Sequence, residues 1–105
     1  MYNSRMLTLR IGITNDTTPF DMDTYFTRIW CRQQPVVLIF DTTQCDRISF
    51  GRVMRLKSVL DKHRENSRKF IDHSEILVKS NFTKNVLRTA LCLIRTERPV
   101  IVKKV

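Results

Sequence analysis

Leu7, Leu9, Ile11 and Ile13 alternate with Thr8, Arg10 and Gly12, a period of two that predicts a strand with one exposed face. A turn, NDTTPF, follows. Thr18 suits a helix N-cap, Pro19 the first helical position, and Asp21 and Asp23 put negative charge at the positive end of the helix dipole. Met22, Tyr25, Phe26, Ile29 and Trp30 then recur at helical spacing, which predicts an amphipathic helix ending before Pro35. Val36 to Phe40 is an unbroken β-prone run, the pattern of a strand buried on both faces of a sheet. Asp41, Thr42 and Thr43 continue from its carboxyl end.

The second helix is predicted from Ser49 to about Ser67, with Val53, Leu56, Val59, Leu60 and His63 as its apolar stripe and Arg52, Arg55, Lys62 and Arg64 on other faces. Phe70 and Ile71 would close the connection to a short third strand, Glu75 to Lys79. Ser80 or Asn81 would cap a third helix burying Val86, Leu87, Ala90, Leu91 and Ile94. Pro99 to Val105 reads as a last strand, its proline where no donor is needed. The order β-α-β-α-β-α-β predicts an α/β fold: one small domain over residues 1–105, a four-stranded, mainly parallel sheet with the first strand at an edge, and about three helices.

Composition narrows function mainly by exclusion. The chain has 105 residues and two glycines, Gly12 and Gly51. Phosphate-cradling loops need clustered glycines for close backbone approach, so neither a Walker-type nor a dinucleotide-type loop can be written, and no cofactor is expected. No apolar run approaches the roughly 18–20 residues of a membrane span. The start, MYNSRMLTLRIGI, lacks the sections of a signal peptide. Cys31, Cys45 and Cys92 are separated, odd in number and on apolar faces, which reads as reduced thiols in a cytoplasmic protein. His63 and His73 have no sequence signal pairing them with a nucleophile, and no zinc-ligand spacing exists. A non-enzyme is expected.

The net charge of +9 lies wholly in residues 51–105, since residues 1–50 carry five basic and five acidic side chains. That asymmetry points to an anionic partner: an acidic or phosphorylated protein, nucleic acid, or an anionic surface. For nucleic acid the candidates are Lys84, Arg88 and Arg95, which share a helix face, with Lys103 and Lys104. The aromatics are expected on buried faces, without a stacking platform. For a protein partner the candidate surface is the carboxyl rim of the second strand and the helix after it: Asp41, Thr42, Thr43, Ser49, Phe50, Arg52 and Arg55. Thr42, Thr43 and Ser49 would suit a phosphate at a helix N-terminus, and more readily a turn and an N-cap. Asp41 and Asp46 flank the loop and would suit either a hard cation or turn formation. An edge strand at Leu7 to Ile13 would permit pairing into a homodimer, and Arg10 would oppose it.

The strand VVLIFDTT, the loop and helix ISFGRVMRLKSVL, the strand EILVK and the helix NFTKNVLRTALCLI together resemble a STAS-type domain, the fold of bacterial anti-sigma-factor antagonists and sulfate-transporter tails. The resemblance implies a non-catalytic regulatory module. Aligned on Gly51, Ile48, Ser49 and Phe50 stand against the family's Asp-Ser-Ser. Ser49 matches the first serine and is the candidate phosphoacceptor, and Phe50 replaces the family's phosphorylated one, so that switch is not carried over. The stretch from Ser74 to Val102 is also similar to small STAS-like open reading frames of large DNA viruses, which implies a protein of the host cell or virion.

Overall fold

The computed structural model describes residues 6–46, 48–94 and 96–105. Four strands, β1 (Leu7–Gly12), β2 (Val36–Asp41), β3 (Ile71–Val78) and β4 (Val100–Lys104), form one sheet in the order β1-β2-β3-β4, with every neighbouring pair parallel. Five helices connect them: α1 (Pro19–Trp30), α2 (Phe50–Met54), α3 (Lys57–Lys62), α4 (Arg64–Phe70) and α5 (Asn81–Leu93). The strand order follows the chain, so right-handed crossovers bring all the helices to one side of the sheet.

The strands record this one-sided cover. Val36 and Leu38 are fully buried, whereas Val37 and Ile39 between them are half-exposed. The sequence expectation of a strand buried on both faces is therefore corrected: β2 is central and apolar, but only one of its faces meets helices. On that covered face Leu7, Leu9 and Ile11 of β1 and Val36 and Leu38 of β2 pack with Met22, Phe26, Ile29 and Trp30 of α1, Val59 of α3 and Phe70 of α4. The bare face presents Arg10, Ile39, Glu75 and Ile101 in one cross-strand row and Gly12, Asp41, Leu77 and Lys103 in the next.

β3 begins at Ile71, directly after α4, rather than at Glu75. A bulge makes the early start possible. Val36 pairs with Ile71 but Val37 pairs with His73, which leaves Asp72 as the extra residue. Both Ile71 and Ser74 then face the helices although three positions separate them.

The predicted second helix is three helices. Ser49 caps it as expected, its hydroxyl accepting from the Arg52 amide at 3.1 Å. The path bends at Leu56, whose amide reaches back only to the Val53 carbonyl, and again at His63. His63 is buried because its imidazole joins two elements. Trp30 Nε1–H donates to His63 Nδ1 at 2.9 Å, and the other ring nitrogen contacts Asp23, which also binds Lys62. Indole is only a donor, so Nδ1 must accept and the proton resides on Nε2, directed at Asp23. Both ring nitrogens are thereby occupied in clamping α1 to the α3–α4 bend.

Helix α1 has its full capping box. Thr18 accepts from the Asp21 amide, and the Asp21 carboxylate accepts from the Thr18 amide. Ser80 caps α5 in the same hydroxyl-to-amide manner. Among the described residues no helix is long and apolar enough to cross a membrane. Cys45 is buried, but Cys31 and Cys92 are exposed rather than on apolar faces.

Candidate functional site

In a parallel sheet every helix that follows a strand starts at the carboxyl rim of the sheet. Here that rim carries the N-termini of α1, α2 and α5. Each bears a phenylalanine in its first turn, off the buried stripe: Phe20 is 76% exposed, Phe50 42% and Phe82 74%. The aromatics were expected on buried faces; these three are a correction. The helix stripes were filled by Met22, Phe26, Ile29 and Trp30 or by Leu87, Ala90 and Ile94, which leaves the first-turn aromatics outside the core. One signal was present in the sequence. Phe20 and Phe82 each follow a capping hydroxyl by two positions and Phe50 follows its own by one, too early in each helix to join the stripe.

The loops of this rim are tied to each other. Arg52 extends from α2 to donate to the Thr14 and Thr17 carbonyls at 2.6 and 3.1 Å and to Cys45 Sγ at 2.9 Å. The Asp46 amide donates to Asn15 Oδ1, and Lys79 pairs with Asp46 at 2.6 Å. Arg52 is therefore a strut between the β1–α1 and β2–α2 loops. Nothing local in the sequence signals that role, because its carbonyl acceptors on the β1–α1 loop lie more than thirty residues away.

The predicted rim residues divide. Asp41 ends β2 on the bare face, where it pairs with Arg10 and accepts from the amide and hydroxyl of Thr43. The Thr43 hydroxyl, then Arg10, holds its carboxyl down at about 2. Thr42 is buried and donates its hydroxyl to the Leu77 carbonyl at 2.7 Å, binding the loop to β3. Ser49, Arg52 and Arg55 lie toward the helix layer. Of this set, Ser49, Phe50 and Arg55 are exposed, and the Arg55 guanidinium has no partner among the described residues.

The predicted nucleic-acid set divides as well. Lys84 and Arg88 lie on α5, and their side chains have no hydrogen-bond or ion-pair partners among the described residues. Lys103 is on the bare sheet face, bound to Glu75 at 3.0 Å. Arg95 lies outside the described residues. On that same face Asp72, His73, Glu75 and Lys103 form a chain of charges. Hydrogen bonding, first to Asp72 and then to Glu75, raises the His73 pKa, while Lys103 is the main cause of a lowered Glu75.

Between the covered face and the helices is a cavity of about 560 Å³. Phe26, Phe40, Leu60, Ile76, Leu87 and Leu91 supply much of its wall. The lining extends to Ser49, Arg52 and Arg55 in one direction and to Arg64, Glu97 and Arg98 in the other, and the cavity is partly open to solvent. Sealed and empty, such a volume would cost on the order of 10 kcal/mol, as much as a small domain's whole stability. Its opening to solvent relieves that cost. No protein family, characterised protein or solved structure matches the chain.

Proposed function

We propose that this chain is a non-catalytic protein-interaction module, of the regulatory kind that the STAS resemblance implies, whose contact surface is the carboxyl rim of its sheet. The observation that carries this reading is the row of exposed first-turn phenylalanines, Phe20, Phe50 and Phe82, on a rim braced by Arg52. Large apolar side chains on a rigid support are the anchors that dominate binding energy at interfaces. Arg55 at the end of α2 and Lys84 on α5, whose side chains have no partner among the described residues, favour acidic groups, as does the net charge of +9. The partner is therefore an acidic segment that also carries apolar anchors.

The test is selection of binding peptides from a random display library on the purified chain, followed by affinity measurement on variants. Phe20→Ala/Phe50→Ala/Phe82→Ala is expected to weaken the selected acidic peptides by about 2 kcal/mol or more while leaving thermal stability nearly unchanged. Arg55→Glu is expected to weaken them further. Binders that are not acidic, or that hold the triple variant equally well, would remove the proposed surface. The variant avoids Arg52, whose loss would release two loops.

Unpaired basic side chains near exposed aromatics also suit single-stranded nucleic acid. Salt-sensitive binding of an oligonucleotide at about 50 mM salt, lost in the same triple variant, would select that reading and exclude protein docking.

A further inference from the structure

We propose that the cavity between the sheet and the helix layer is a binding site for a long-chain carboxylic acid, its acyl chain inside and its carboxylate at Arg55. The inference is independent of the protein-docking reading, since it rests on the interior and not on the phenylalanines.

Three observations lead to it. The cavity, about 560 Å³, is within the range of small-molecule pockets and far larger than the voids tolerated in packed interiors. Its lining is mainly apolar, and its charged lining residues come from the rim loops and α2 (Asp16, Arg52, Arg55) and from α4 and the segment before β4 (Arg64, Glu97, Arg98). That distribution suits an amphiphile entering by one end and excludes a sugar or nucleotide, whose many polar groups would find no partners within.

The second observation is Ser74. It occupies the middle of β3 on the covered face, paired with Leu38 and Val100, and is only 6% exposed. Neighbouring strands place large apolar side chains on this face; a serine leaves the room that the cavity occupies. Its hydroxyl makes no hydrogen bond within the chain, yet is not sealed off, because it borders the cavity.

The third is charge at the rim mouth. Arg55 lines the cavity, is exposed and has no partner among the described residues. At the opposite mouth Arg64 and Arg68 are already bound to Glu97, and Arg98 donates to the Ile71 carbonyl. A carboxylate entering there would meet Glu97 with its guanidiniums already bound; at the rim, where Asp16 also lines the cavity, it meets the Arg55 guanidinium, which has no partner among the described residues. The head group is therefore assigned to the Arg55 end.

The probes are palmitate and, as the uncharged control, hexadecanol, titrated below their aggregation range and followed by native mass spectrometry and by Trp30 fluorescence. One palmitate per chain, binding saturably, is expected. Arg55→Glu should weaken palmitate by about tenfold or more, the equivalent of one charge-assisted hydrogen bond, and leave hexadecanol unchanged. Ser74→Phe, which fills the cavity from its floor, should abolish binding of both. Absence of saturable palmitate binding, palmitate affinity unchanged in Arg55→Glu, or undiminished binding to a folded Ser74→Phe chain would each overturn the assignment. Should Ser74→Phe fail to fold, the Arg55→Glu comparison decides alone, because that exposed side chain supports no other element.

Discussion

His63 illustrates how one side chain can do structural work that its residue type does not announce. Its spacing in the sequence put it on an apolar stripe, and there it is buried. What made burial tolerable was invisible: an indole donor from Trp30 and a carboxylate from Asp23, more than thirty residues earlier. Trp30→Phe should therefore cost about 1–3 kcal/mol in urea unfolding, since it strands an acceptor away from water. The double variant Trp30→Phe/His63→Leu should recover part of that loss, because it removes both halves of the bond. Asp41 gives the pH counterpart. Its carboxyl is lowered from 3.8 to about 2 in the fold, so its contribution is present above its ordinary value and is lost as pH falls from about 4 through 2. Asp41→Asn should flatten the stability profile in that window. His73 has the opposite sign: its raised value gives a contribution complete below about 6.5 that is lost as pH rises through the folded-state value.

At the scale of elements, the helices that start where expected are those with capping hydroxyls: Thr18, Ser49 and Ser80 each accept the amide three residues on. Local chemistry suffices there, because donor and acceptor are neighbours in the chain. Ser49→Ala should cost about 1 kcal/mol, measured by thermal or urea unfolding. That effect separates the cap from any role of Ser49 as a phosphoacceptor. The bends at Leu56 and His63 were not legible, since a continuous apolar stripe is compatible with one straight helix. The chain breaks there to follow the sheet and to deliver His63 to Trp30. The early start of β3 escaped for a related reason. The Asp72 bulge preserves inward-facing positions at Ile71 and Ser74 while disrupting the strict alternation by which a strand is recognised.

For the molecule as a whole, the decisive property is that the helices cover only one side of the sheet. Parallel sheets are usually covered on both. β2 makes the consequence measurable: Leu38→Ala should cost about 2–5 kcal/mol, whereas Ile39→Ala, on the bare face, should cost about 1. The order of strands and helices, the caps and most of the core were legible in the sequence, because periodicity, proline and capping hydroxyls act over a few residues. So was the position of the rim after β2. Its composition was not. Arg52 reads as a recognition group and Thr42 as a turn former or phosphate ligand, and both prove to be bound to distant backbone, while Phe20 and Phe82 come to the same rim as Phe50. Local interactions determine which elements form; only the strand order, a product of contacts across the whole chain, decides which side chains remain uncovered and where they gather.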